Sequence, residues 1–227
     1  MNGVLSWFTD PAHWRGASGV PTLLLQHSLL TAAALLLAVL LGLPTAVWLG
    51  HRHRGGTALV NFANVGRAVP VIALLSLLAL GFVGSADLGP FGRAGMATLI
   101  TLALFALPPI VTSTYVGMTG VDPEIVEAAR GMGMSELRLL RDVELPLALP
   151  MVVSGLRLAL VQVWATATIA AIVAGPGLGR IITHGYDSDS PSEVIAGSII
   201  VAVIALLLEL GMVLLQRAVD PLPAHSR

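Results

Sequence analysis

The sequence contains no cysteine and no lysine, and it has few charged residues of either sign. Without cysteine, the 227-residue chain has no disulfide, no thiolate metal site and no cysteine nucleophile. Only 11% of its residues are charged, against about 25% in an average soluble domain. A net charge of −1 offers no basic face to neutralise phosphates, which argues against a nucleic-acid partner. These absences indicate a protein most of whose surface does not face water.

Long apolar stretches make up most of the sequence. Hydrophobic residues make up 56% of the chain, and its mean hydropathy is +0.86. A transmembrane helix needs about 20 mostly apolar residues. The sequence predicts an all-α membrane protein with about five transmembrane helices, at residues 29–50, 68–86, 94–119, 147–174 and 194–216. The first stretch is too long for a signal peptide and has no small-residue cleavage site, so it is expected to remain as an anchor.

The arginines predict how the chain is oriented. With five spans, nine of the twelve arginines fall on or open to one side of the membrane. Because positive residues favour the cytoplasm, we expect a multi-pass protein of the inner (cytoplasmic) membrane with its N-terminus outside and its C-terminus inside. The predicted layout is an extracytoplasmic or interfacial segment at 1–20, a transmembrane domain at 21–220 with a cytoplasmic loop at 120–146, and a cytoplasmic tail at 221–227.

The loop at 120–146 is too polar for the bilayer and too apolar for a flexible linker. Asp122 followed by Pro123 predicts the start of a short helix. Gly131 and Gly133 predict a turn that ends it. The expected result is a helix–glycine–helix projection, called the knob below. From the residues alone, it fits either a docking element for another protein or an amphipathic loop on the membrane surface.

A second helix of the knob is expected after the glycines. Ser135 is placed to cap it, over residues 136–143. Pro146 and Pro150 are expected to stop this helix and redirect the chain into the fourth span.

The knob resembles the EAA loop of ABC importer permeases, whose pattern is Glu-Ala-Ala, three residues, Gly, nine residues, Ile, any residue, Leu-Pro. This chain matches it, with valine for isoleucine, at Glu127, Ala128, Ala129, Gly133, Val143, Leu145 and Pro146. The resemblance implies the core of a type I ABC importer permease, in which this loop couples to a separate ATPase. It implies that the chain is not an enzyme and holds no cofactor, ATP and Mg²⁺ being bound by the ATPase. In agreement, the sequence has no phosphate-binding loop.

The resemblance also implies partners: ABC ATPase subunits, a second permease that is identical or related, an extracytoplasmic substrate-binding protein and the lipid bilayer. Further segments look like the glycine betaine/carnitine/choline (osmoprotectant) permeases, over roughly residues 25–220. They are Val121-Asp122-Pro123, Arg67-Ala68-Val69-Pro70, Thr166-Ala167-Thr168 and Gly175-Pro176-Gly177-Leu178-Gly179. The alternative substrate is methionine or another small amino-acid derivative.

Polar residues in or beside the spans are candidates for the translocation path. They are Asn61, Asn64, Arg67, Gln162, Thr166 and Thr168. Hydrogen bonding between helices is the alternative role for Gln162, Thr166 and Thr168. Capping and interface contacts are the alternative for Asn61, Asn64 and Arg67. Glu209 is expected to form a structural pair or to reach the interface, and His27 and His184 receive no role.

Two other classes were compared with the importer. A secondary transporter or channel would need coupling-ion carboxylates in mid-membrane, and Glu209 is the only acidic residue within a predicted span. A membrane-embedded protease would need a Ser/His or paired-Asp arrangement within the spans, and the sequence offers none.

Overall fold

The computed structural model describes residues 2–85, 91–92 and 94–219, and these residues are almost entirely helical. The helices, numbered in chain order, are α1 Asn2–Thr9, α2 Val20–His51, α3 Gly56–Ala68, α4 Val71–Leu80, α5 Gly95–Thr119, α6 Pro123–Gly131, α7 Glu136–Leu139, α8 Leu145–Ala167, α9 Gly179–Asp187 and α10 Pro191–Val219. Shorter helical turns are 3₁₀ at Pro11–Trp14, Phe82–Ser85 and Thr168–Val173, and π at Leu140–Glu144.

Within the described residues, four helical stretches are long and apolar enough to cross a membrane: Val20–His51, Gly95–Thr119, Glu136–Val173 and Pro191–Ala218. The predicted second span, 68–86, is different. Its helix α4 covers ten residues, about 15 Å, and a break at Pro70 separates it from α3. Proline has no N–H and disfavours helical geometry at the residue before it, which accounts for the break.

Two polar segments outside the long apolar helices contain helices of their own. The N-terminal segment forms α1 and a 3₁₀ turn, and Trp7 is buried in a core with Trp164, Leu178 and Ile181. The segment after residue 175 contains α9. Both sequences are polar enough to suggest loops, but a few apolar side chains hold each helix against its own core. The predicted tail, 221–227, lies outside the described residues.

The described residues divide into two compact units. The first is drawn from Met1–Leu37, Val69–Ala106 and Leu160–Leu208, and the second from Ala38–Ala68, Leu107–Ala159 and Glu209–Arg227. In the second unit, α5 and α8 approach closely at glycines. A Cβ on Gly117 would lie 2.7 Å from the Met151 Cβ, and one on Gly155 would lie 2.7 Å from the Ser113 Cβ. Small residues at helix crossings are typical of membrane helix packing.

Candidate functional site

The first helix of the knob begins where the sequence predicts. Asp122 is the N-cap of α6, and its carboxylate accepts a hydrogen bond of 2.9 Å from the Glu124 backbone N–H. Pro123 occupies the first helical position, where a missing N–H costs nothing. The predicted start of the knob is therefore confirmed.

Gly133 ends this helix in a left-handed conformation, with φ of +85°. The Gly133 N–H donates to the Arg130 carbonyl at 2.9 Å, and the Met134 N–H donates to the Ala129 carbonyl at 3.2 Å. These two bonds and the positive φ define a Schellman motif. Met134 packs beside the buried Ala129, the apolar contact that accompanies this motif.

The knob has a small core of its own and an apolar outer surface. Val121, Val126, Ala129 and Leu139 form the core, with Met134 and Val143 packed against it. Other apolar side chains of the knob are exposed: Ile125 by 45%, Met132 by 74% and Leu137 by 74%.

The EAA residues therefore divide between the two faces. Glu127 and Ala128 are exposed, whereas Ala129 is 3% exposed and packs inward. Only Ala128 of the alanine pair is at the surface, so close approach by a partner would involve Ala128, while Ala129 fits the knob's own core. Gly133 and Pro146 are exposed and Leu145 is half-buried.

The second half of the knob differs from the prediction. The helix that begins after Ser135 spans only Glu136–Leu139, and the Ser135 side chain makes no capping hydrogen bond. It continues through the π turn Leu140–Glu144 into α8, so Pro146 and Pro150 do not stop it. Local π geometry accommodates a proline in a membrane helix by relieving the bond that its missing N–H cannot make.

Charged side chains link the two halves of the knob. The Arg130 guanidinium donates to both carboxylate oxygens of Glu136, each at 3.1 Å. The pair is exposed, so its contribution to stability is small.

His51 and Glu144 form a buried pair that the sequence analysis missed. The His51 Nδ1 lies 2.5 Å from Glu144 Oε2, and the two side chains are 12% and 3% exposed. His51 is the last residue of α2, and Glu144 is the last residue of the π turn. They are 93 residues apart in the chain, so no local spacing could reveal the contact.

The structure describes the side chains of four of the six pathway candidates. Asn61 is exposed on α3, whereas the side chains of Asn64 and Arg67 lie outside the described part of the structure. Gln162 donates a 3.3 Å hydrogen bond to the Phe105 carbonyl, which is an interhelix contact between α8 and α5. Thr168 donates to the Ala165 carbonyl at 2.7 Å, and Thr166 is half-buried. Gln162 therefore has the helix-joining contact that was its alternative role.

An ion pair within two apolar helices was also missed. Arg157 on α8 donates to Glu209 on α10 through both Nε and a terminal nitrogen, and its other terminal nitrogen donates to Gln216 at 3.2 Å. Glu209 was expected to form a structural pair or to reach the interface; it forms a pair, with Arg157, a partner that the sequence analysis did not name. The signal was present, since Arg157 and Glu209 are opposite charges inside predicted spans.

His27, to which the sequence analysis gave no role, is fully buried and bonded at both ring nitrogens. The Leu178 N–H donates to His27 Nδ1 at 3.3 Å, and Nε2 lies 3.0 Å from the Trp164 carbonyl. Because Nδ1 accepts, Nε2 carries the proton and donates. His27 thus satisfies a carbonyl near the end of α8, where the helix tightens into the 3₁₀ turn.

The helical architecture and the membrane-length apolar helices define a polytopic membrane protein. The family model described as "Binding-protein-dependent transport system inner membrane component" matches residues 28–224. The chain belongs to this family. It is therefore the permease subunit of a bacterial ABC importer, a multi-pass membrane protein that is not itself catalytic.

Individual relatives agree with the family. The chain is 28% identical over 97% of its length to the carnitine transport permease protein OpuCB of Listeria monocytogenes, covering 95% of that protein. It is 32% identical over 86% of its length to the choline transport system permease protein OpuBD of Bacillus subtilis, covering 83% of it. It is 30% identical over 93% to the osmoprotectant import permease protein OsmW of Salmonella typhimurium, covering 98% of it.

Solved structures establish the fold. A chain of the inward-facing MetNI methionine ABC transporter superposes with a TM-score of 0.74 at 22% identity, over 93% of this chain and 99% of that one. An amino acid ABC transporter solved with histidines gives 0.72 at 22% identity, over 95% and 98%. The predicted fold, an all-α type I ABC importer permease, is confirmed.

Proposed function

We propose that this permease imports quaternary-ammonium osmoprotectants such as glycine betaine, carnitine and choline, and that the knob couples it to a separate ATPase. The observation that carries the substrate class is the agreement among relatives at 27–32% identity, whose names specify carnitine, choline, glycine betaine or osmoprotectant transport. The family assignment supports the importer itself and is independent of the substrate.

The coupling role rests on the shape of the knob. Its own core keeps it folded without burying the outer face, and that face presents Glu127, Ala128 and the exposed apolar side chains of Ile125, Met132 and Leu137. Such a surface fits a cleft on a partner protein better than it fits solvent. In this proposal the ATPase contacts Glu127, Ala128 and Gly133. The other EAA residues, Ala129, Leu145 and Pro146, support the knob on the side away from the ATPase.

The proposed complex contains two permeases, identical or related, with ABC ATPase subunits that bind ATP and Mg²⁺ and an extracytoplasmic substrate-binding protein. No cofactor is assigned to this chain. An aromatic cage is the usual site for a quaternary ammonium group. Trp7 and Trp164 are buried in the core of the first unit, with exposed fractions of 7% and 2%. These two rings are unavailable for a cage.

The proposed orientation places the knob in the cytoplasm and the segment after α9 outside. Ser135 and Ser188 are both exposed, and the chain has no native cysteine. Single cysteines at these positions are therefore unique labels. In intact cells, an impermeant maleimide should label Ser188→Cys and spare Ser135→Cys until the cells are opened. Labelling of Ser135→Cys and not of Ser188→Cys in intact cells would show that the chain has the opposite orientation.

Uptake by cells that lack this chain tests the substrate. Loss of the chain should impair uptake of labelled glycine betaine, carnitine or choline in hyperosmotic medium, and plasmid-borne chain should restore it. Retained uptake of all three together with lost uptake of methionine would assign the chain to the methionine class, the alternative that the sequence left open. The ABC importer family would stand in either case.

A further inference from the structure

The buried carboxylate of Glu144 immediately precedes the Leu145-Pro146 of the EAA pattern. Its side chain is 3% exposed, and a buried carboxylate is costly unless it is paired. His51 supplies the partner at 2.5 Å. The pair joins the end of the knob to the end of α2, a 32-residue helix that is long and apolar enough to cross the membrane.

His51 also faces the other half of the knob. Its Nε2 lies 3.4 Å from Glu136 Oε2, on the opposite side of the ring from Glu144. Glu136 is held in turn by Arg130, which lies directly after the EAA residues at the end of α6. An unbroken series of side-chain contacts therefore runs from Arg130 on α6, through Glu136 and His51, to Glu144 in the π turn.

The two ends of this series are in different environments. Arg130 and Glu136 are 47% and 60% exposed, at the outer surface proposed to meet the ATPase. His51 and Glu144 are nearly buried. The series thus begins at exposed residues that a partner can contact, and it ends at the membrane-length helix α2. The π turn that carries Glu144 is itself a deviation from regular helix of the kind that is frequent at functional sites.

Fold stability alone does not require such a pair. Apolar residues of similar volume replace many buried ion pairs with no loss of stability. An apolar contact between α2 and the π turn, however, would have no fixed direction and no link to Glu136. A hydrogen-bonded pair holds one geometry, so displacement of one partner displaces the other.

We infer that His51 is a positioning residue for coupling: by binding Glu144 and facing Glu136, it ties the knob to the cytoplasmic end of the first membrane helix and transmits the knob's movement to it. The inference rests on the proposed coupling function, and it adds a residue outside the EAA pattern and a route into the membrane.

The test uses the complete importer in liposomes, with His51→Gln, Glu144→Gln and the double variant His51→Leu/Glu144→Leu. The knob's outer face is unchanged in all three, so the ATPase should still co-purify with basal hydrolysis within about twofold of normal. Substrate-stimulated hydrolysis and uptake should fall together by roughly tenfold, within the range measured for residues that carry coupling between sites. Since both residues act through one contact, combining His51→Gln with Glu144→Gln should cost no more than either alone.

A matched control is available at His184, an exposed histidine of the first unit whose Nδ1 lies 3.0 Å from Glu193 Oε1. His184→Gln should leave stimulated hydrolysis unchanged. The double leucine variant separates coupling from folding, because it keeps the contact apolar and satisfied. Normal stimulated hydrolysis in any inserted variant overturns the inference, and so does loss of insertion in all three, which would give the pair a folding role only.

The two proposals fail in different ways. If the wild-type complex shows no ATPase partner or no stimulated hydrolysis, the coupling function itself is wrong. If wild type is coupled and the His51 and Glu144 variants are coupled equally well, only the route through His51 is wrong.

Discussion

Two glycine-containing turns look alike in the sequence and are built for different reasons. The turn at Gly131–Gly133 ends the first helix of the knob, and the turn at Gly175–Gly179 follows α8 and its 3₁₀ turn. Gly133 and Gly177 both have positive φ, +85° and +106°. A Cβ added to Gly133 would meet nothing within 4 Å, whereas one added to Gly177 would lie 2.7 Å from His27 Nδ1.

The difference separates two kinds of constraint on glycine. At Gly177 the chain's own packing excludes a side chain, since the His27 ring fills the space and is fixed by bonds to Trp164 and Leu178. At Gly133 the chain imposes only its backbone conformation, and the space outside is open. A side chain at Gly133 is therefore limited by φ within this chain, and by volume only through a partner.

The largest effect is expected for Gly177→Ala. The new methyl group would combine backbone strain with a clash against a buried, hydrogen-bonded ring, a cost of about 2–5 kcal/mol. Gly16→Ala is the matched control, because Gly16 has φ of +79° and open space around it. Gly177→Ala should lose most of the inserted, monodisperse protein and Gly16→Ala should lose little, as judged by size-exclusion chromatography and thermal unfolding in detergent. Equal behaviour of the two variants would remove packing as the reason for Gly177.

Gly133→Asp should have the opposite profile. Aspartate tolerates positive φ better than most residues, so the strain is roughly 1 kcal/mol and insertion should survive. Its carboxylate adds volume and charge to the outer face of the knob. We expect stimulated ATP hydrolysis in liposomes to be abolished, with the ATPase lost or uncoupled.

Gly133→Ala isolates strain from volume at this position. It adds a methyl group with at least the same backbone strain, so it should retain a measurable part of the stimulated hydrolysis that Gly133→Asp loses. If the Gly133→Asp complex kept its ATPase and full stimulation, the knob would be an ordinary loop and the coupling proposal would be wrong.

Glu127→Ala should weaken coupling more mildly than Gly133→Asp. Glu127 is exposed on α6, and its removal takes away one polar anchor for a partner without adding volume. A several-fold loss of stimulated hydrolysis, about 1 kcal/mol of coupling, is expected. Glu124→Ala is the control, since Glu124 is an exposed carboxylate on the first turn of the same helix and lies outside the EAA pattern. Similar losses in both variants would indicate a general effect of charge.

The same two turns show which features of the structure can be predicted from the sequence. The start of α6 at Asp122 and the turn at Gly133 were predictable, because capping and positive φ depend on neighbouring residues. The contacts of His27 with Trp164 and Leu178 join residues 137 and 151 positions apart. Nothing in local spacing distinguishes such a histidine from one without a role.

Proline caused the clearest errors in the predicted elements. Pro146 and Pro150 lie within a continuous helical segment, although a helix stop was expected. Pro70, in contrast, does break the helix. Proline removes one backbone bond, and whether the helix continues depends on whether neighbouring helices or a π turn compensate. That compensation is tertiary, so periodicity and composition do not contain it.

The smallest effect is expected for Asp122→Ala, which tests whether the first helix of the knob must be ordered before the ATPase binds. Asp122 accepts one backbone hydrogen bond at the start of α6, and losing an N-cap costs about 1 kcal/mol. Amide exchange in the first turn of α6 should accelerate about fivefold, while the Gly175–Gly179 turn should exchange as before. Stimulated hydrolysis should fall by less than in Glu127→Ala, because the knob's outer face remains intact and only the ordered fraction of the helix decreases. Asp122→Asn retains an oxygen acceptor, so it should restore both slow exchange and coupling. Faster exchange in Asp122→Ala with no change in hydrolysis would show that docking on the partner is enough to order this turn. Coupling would then not require the knob to be ordered by its own core beforehand.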